Sequence, residues 1–197
     1  MTCTSAYDHP LSSKAIREAY FLGQRNDEKV TDFLAQYIKR LPTPEKGPSI
    51  SEISLYTPYA QVVLRSWREK MGYSAQQAQQ DFLSHDDTIR VKVRIEFTAT
   101  YSALQGAKPD RNVEDEQTLA FRPKDFWRDF QIELSQMGKQ IDPQDVQGSP
   151  IYNRGFKGAE VWLVYDTNAF GPEETVVDVI TPDSHRVTAK FDLSRLP

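Results

Sequence analysis

In TIRVKVRIEFTATY, residues 88–101, every second residue is apolar. Ile89, Val91, Val93, Ile95 and Phe97 point one way, while Arg90, Lys92, Arg94 and Glu96 point the other. A period of two sustained over this length specifies a strand with one buried face. The same alternation returns near the end of the chain, where TVVDVI and RVTAKFD flank Thr181-Pro182-Asp183-Ser184. Proline presets φ for the second position of a type I turn and aspartate bonds to nearby amides, so a hairpin is predicted. Val187, Ala189, Phe191 and Leu193 fall on its inner face. His185 precedes that pattern, so the turn explains the segment without a ligand. Between these strands, AEVWLVYD (159–166) is apolar on both faces, as a strand covered on both sides would be. Phe130, Ile132 and Leu134 share a face, and shorter strands are expected near TLAFR (118–122) and Ile151.

The first part of the chain has helical spacing instead. Ser12 is placed to cap a helix carrying Ile16, Ala19 and Tyr20, with Gly23 at its end. With Asn26 as the cap, the residues Val30, Phe33, Leu34, Tyr37, Ile38 and Leu41 repeat at 3.6-residue intervals, predicting a second helix that stops at Leu41-Pro42. PTPEKGPSIS reads as a proline-rich connection. Thr57 and Pro58 then open a third helix with Ala60, Val63, Leu64, Trp67 and Met71 on one face, closed by Gly72. Ser74 and Gln77 form a capping-box pair for a fourth helix reaching Phe82 and Leu83.

These patterns predict an α+β protein. An N-terminal helical part of about four helices packs on or beside a C-terminal antiparallel β-sandwich of about six or seven strands. The boundary falls where the hydrophobic period changes, giving residues 1–86 and 87–197. A single α+β domain is the alternative.

Composition narrows the function classes. Of 197 residues, 39% are hydrophobic and 11% aromatic, enough for a packed core. The 24 basic and 28 acidic residues are interspersed and the formal charge is −4, which argues against a nucleic-acid surface. No apolar run reaches the ~18 residues of a membrane span. Cys3 is the only cysteine, so neither intrachain disulfides nor multi-thiolate metal sites are available. The N-terminus has no charged region followed by an apolar one, and the sequence as written reads as cytoplasmic. A periplasmic or secreted protein with its signal removed would look the same.

The candidate chemistry is thin. SHDD (84–87) puts His85, Asp86 and Asp87 together at the predicted helix-to-sheet junction, where they could contribute to a metal or catalytic site. Adjacent residues do not share one face, and such residues are also common at helix ends. The acidic loop DRNVEDE offers Asp110, Glu114, Asp115 and Glu116 as oxygen ligands for calcium, without the spacing of a dedicated calcium loop. Phe126, Trp127, Tyr152, Arg154 and Phe156 lie in or beside loops in DFWRDF and YNRGFKG, as in aromatic platforms for sugars or peptides, although Trp127 can equally cap the core. No nucleophile elbow or phosphate loop occurs, and no cofactor is expected. The layout of capped helices followed by a disulfide-free sandwich resembles that of bacterial envelope proteins, and no motif carries the resemblance further. The leading expectation is a non-enzymatic interaction module acting on a protein or glycan partner. The runner-up is a hydrolase or metal-dependent enzyme centred on His85, Asp86 and Asp87.

Overall fold

The computed structural model describes residues 10–69, 71–85, 87–98, 124–153 and 155–197. Helix α1 (Ser13–Gly23) begins where the Ser12 hydroxyl accepts the Ala15 amide at 3.2 Å. Asp27, one residue after the expected Asn26, caps α2 (Glu28–Ala35) by accepting the Lys29 amide, and Thr57 caps α3 (Pro58–Arg68) by accepting the Ala60 amide. In α4 (Ala75–Leu83) the capping box is complete, with Ser74 and Gln77 each bonding the other's amide. Each cap satisfies amides that have no partner within their own helix.

Two of these helices are shorter than the apolar spacing predicts. The α2 run ends at Ala35, and Ile38–Arg40 forms strand β1 instead. Its partner is β2 (Pro48–Tyr56), which includes the end of the segment predicted to be a connection. Helix α3 stops at Arg68, which leaves Met71 beyond it and 97% exposed, while Trp67, inside the helix, faces partly outward at 38% exposure.

Seven further strands follow among the described residues: β3 (Thr88–Phe97), β4 (Gln131–Gln136), β5 (Lys139–Ile141), β6 (Asp145–Tyr152), β7 (Phe156–Asp166), β8 (Glu174–Ile180) and β9 (Arg186–Asp192). All pairs are antiparallel, giving a five-stranded sheet ordered β1-β2-β3-β7-β6 and a four-stranded sheet ordered β5-β4-β8-β9. The fold is therefore α+β. Strand β2, although it precedes α3 and α4 in the chain, pairs with β3 along nearly its whole length. The expected strand near TLAFR lies outside the described residues.

The inward faces of both sheets share one core. Ile53, Leu55, Val91, Val93, Val161 and Leu163 of the first sheet join Leu134, Val177, Val179 and Phe191 of the second. The helices have a second cluster around Ile16, Ala19, Val30, Leu34 and Val63, and Phe33 and Leu64 pack against both clusters. Helices α1 and α3 approach closely at Gly23, where an added Cβ would lie 2.4 Å from the Val63 carbonyl oxygen. The terminal hairpin forms as predicted. The Ser184 amide donates to the Thr181 carbonyl at 2.8 Å, Ser184 takes φ of 64°, and Ala189, Phe191 and Leu193 are buried while His185 is exposed. A type I turn followed by a left-handed residue is a common three-residue hairpin connection.

Candidate functional site

The outward face of the five-stranded sheet is polar, and its register can be read row by row. Tyr56, Arg90, Val164 and Asp145 lie side by side on β2, β3, β7 and β6. The next row holds Ser54, Lys92, Trp162 and Gln147, and the one beyond it Glu52, Arg94, Glu160 and Ser149. Alternation along each strand produces this face, because residues two apart share a side.

Over the first two rows, α3 and α4 leave an open groove of about 650 Å³. Trp162, Arg90, Val164, Asp145 and Gln147 line its sheet side. Gln61, Leu64, Arg65 and Arg68 of α3 line the opposite side, at the three- and four-residue intervals that place them on one stripe. Gln61 ties the two sides together, since its amide donates to the carbonyls of Tyr56 at 3.2 Å and Thr88 at 2.6 Å. Trp162 is half-buried and stacked on the buried Tyr56, with ring centroids 6.1 Å apart and planes 24° from parallel. Tyr56 in turn stacks on Tyr37, and Tyr37 packs on Phe33, so the indole rests on an aromatic column anchored in the helices.

The charges around the groove differ in their commitments. Arg65 bridges Asp81 at 3.0 Å and Glu69 at 3.3 Å, and lies over the Tyr73 ring. Burial pushes the Tyr73 phenol up to about 12, against the opposing pull of Arg65. Lys92 bridges Glu52 at 2.6 Å, and Arg94 bridges Glu96 and Glu160. Burial alone would raise the Glu52 carboxyl, but hydrogen bonds from Lys92 and Ser54 and the charges of Lys92 and Arg94 hold it below its ordinary value. The basic stripe of β3 is thus partly neutralised within the sheet. Arg90 and Arg68 are exposed and make no ion pair among the described residues.

Of the junction residues, His85 and Asp87 both line the groove, whereas Asp86 lies outside the described residues. His85 Nδ1 lies 2.8 Å from the Asp81 carbonyl oxygen and 3.0 Å from the Ser84 hydroxyl. The Asp87 carbonyl accepts from the Thr167 hydroxyl at 3.1 Å, and the Asp87 carboxylate oxygens are shielded from solvent. Among the described residues, no three His, Cys, Asp or Glu side chains are grouped to hold a metal ion. Asp110, Glu114, Asp115 and Glu116 lie outside them.

Of the aromatic candidates, Phe126, Tyr152 and Phe156 gather at the end of the sandwich away from the groove. Phe126 is buried and packs with Phe97, Phe130 and Phe156, and Tyr152 leans on Phe156 at 5.7 Å while remaining 62% exposed. Trp127 lies across Gly148, where an added Cβ would fall 2.1 Å from the indole, so this tryptophan covers the edge strand. Arg154 lies outside the described residues. The groove residues Trp162 and Gln61 were not among the sequence candidates. Trp162 sits in the run read as covered on both faces, and only the register reveals that its outward neighbours are polar. No known protein-family model matches the chain, and neither the curated proteins nor the solved structures give a significant match.

Proposed function

We propose that the chain is a non-enzymatic binding module and that its ligand is a glycan held in the groove between α3, α4 and the five-stranded sheet. The observation that carries this reading is Trp162: an indole backed by Tyr56 and set beside Arg90, Asp145 and Gln147 in one concave surface. Sugar rings stack apolar C–H faces on aromatic planes and direct hydroxyls to flanking polar groups, and a concave site provides both together. A protein partner would meet a broader, flatter area than this groove offers. The bacterial envelope, rich in polysaccharide, is the setting in which we place the module. A panel of immobilised glycans tests the proposal: the chain should be retained by members of the panel, and Trp162→Ala should abolish retention without lowering the melting temperature by more than a few degrees. Retention unchanged in Trp162→Ala would refute it.

The second reading is a hydrolase or metal-dependent enzyme, and one observation favours it: His85 and Asp87 line the same groove. That reading predicts shortened glycan products, or a stoichiometric metal, lost in His85→Ala. The binding reading predicts that the glycan is recovered intact.

A further inference from the structure

We infer that the groove selects uncharged glycans, chains of neutral hexoses or N-acetylated amino sugars, with Arg90 as a donor and Asp145 as an acceptor for their hydroxyls; this rests on the glycan reading above. The charges presented to a ligand cancel wall by wall. On the helix wall, Arg65 and Arg68 stand with Glu69 and Asp81, and Arg65 bridges those two carboxylates at 3.3 and 3.0 Å. On the sheet wall, Arg90 and Asp145 lie on either side of Val164, one strand away from it in each direction. Asp87 is the remaining carboxylate of the lining, and both of its oxygens are shielded from solvent. The lining as a whole thus holds three arginines and four carboxylates, which leaves no positive excess for an acidic chain. The surplus carboxylate is not on the surface that a cationic chain would touch.

The sheet register sets the two opposite charges symmetrically about the indole. Trp162 pairs with Lys92 on β3 and with Gln147 on β6, so Arg90 and Asp145, each two residues further along, are its diagonal neighbours at about 7–8 Å. A sugar ring lying on the indole therefore has a guanidinium at one flank and a carboxylate at the other, about 10 Å apart at ordinary strand spacing. A hydroxyl both donates and accepts, so a neutral ring satisfies the two flanks at once, and each bond is strengthened by the charge on the protein side. Gln147 adds a neutral amide beside them, oriented by its bond to Asp145 at 2.7 Å. A uronate would bring its carboxylate up to Asp145, and a free amino sugar would bring its ammonium up to Arg90. In either case a like charge is forced on one flank, which disfavours the charged chain.

The test titrates the full chain with matched pairs of oligosaccharides: galactose against galacturonate chains, and N-acetylglucosamine against deacetylated, cationic glucosamine chains. A neutral member that binds should do so about tenfold more tightly than its charged counterpart. Its affinity should change by less than about twofold between ~0.1 M and ~1 M salt, over which screening removes long-range attraction. The two flanking variants should shift selectivity in opposite directions with the melting temperature unchanged: Arg90→Gln should improve the glucosamine chain relative to its neutral partner, and Asp145→Asn the galacturonate chain. Trp162→Ala should weaken every member alike. Tighter binding of either charged chain than of its neutral partner, or selectivity unmoved in both flanking variants, would overturn the inference and leave the glycan reading standing. Binding of no member of the set, with other neutral hexose oligosaccharides also failing, would remove both.

Discussion

Removing the Phe191 ring tests the sandwich where its last strand closes it. Phe191 is 2% exposed on β9, opposite Thr175 of β8, with its side chain in the shared core. A buried phenylalanine removes about 150–250 Å² from water, worth about 4–6 kcal/mol at ~25 cal/mol per Å². Part of that area is already hidden in the unfolded chain and part is retained by alanine, which brings the transfer contribution down to about 3 kcal/mol. The cavity left by a sheet that cannot collapse adds to it, so Phe191→Ala should cost about 3–5 kcal/mol. For a chain of this size that lowers the melting temperature by roughly 6–20 °C. Urea titrations should show the midpoint falling with an unchanged slope, and Phe191→Leu should recover most of the loss. The matched control is His185→Ala. Every hydrogen bond at that position in the turn, to the Thr181 backbone and hydroxyl, uses the His185 backbone, so the change should cost under about 0.5 kcal/mol. A loss below about 1 kcal/mol in Phe191→Ala, or a loss in His185→Ala comparable to it, would refute the reasoning.

Two other perturbations probe the five-stranded sheet. At Gly158 of β7 an added Cβ would sit 1.9 Å from the Ile95 carbonyl oxygen, a backbone atom of the paired strand, so Gly158→Ala should destabilise by about 2–3 kcal/mol in the same titrations; a neutral result would mean that β3 and β7 do not approach as described. Because the folded Glu52 carboxyl lies below its ordinary value, its contribution is present above that value and fades as the pH falls through the folded one. Midpoints measured across that acid range should fall less steeply in Glu52→Gln, and equal slopes would show that the Lys92 pair has no linkage to folding.

Much of the fold can be read from local pattern, and the exceptions have identifiable causes. The caps at Ser12, Thr57 and Ser74 and the alternation in β3 and β9 are short-range signals that tertiary packing reinforces. Strand β2 is obscured by a register shift between Ile50 and Glu52: the bulge sets Ile50, Ile53 and Leu55 on one face at intervals of three and two, which breaks the period of a strand. Tyr37, Ile38 and Leu41 continue the helical spacing of α2, yet β2 offers Ile38 a partner in Ser54, and three apolar residues at a helix end suit either state. The groove is hidden for a different reason. Its walls come from α3, α4, β3, β6 and β7, so only the register that places Arg90 near Trp162 creates it.

The three tryptophans stand in three separate places: Trp67 near the end of α3, Trp127 across the edge strand β6, and Trp162 in the groove. Their indole N–H signals in a nitrogen–proton correlation spectrum therefore report on each place separately. When an oligosaccharide retained in the glycan panel is titrated into the labelled full chain, the groove account predicts a saturable shift of the Trp162 signal, with those of Trp67 and Trp127 unmoved. A shift of Trp127 with Trp162 stationary would move binding to the edge strand β6 and contradict the account.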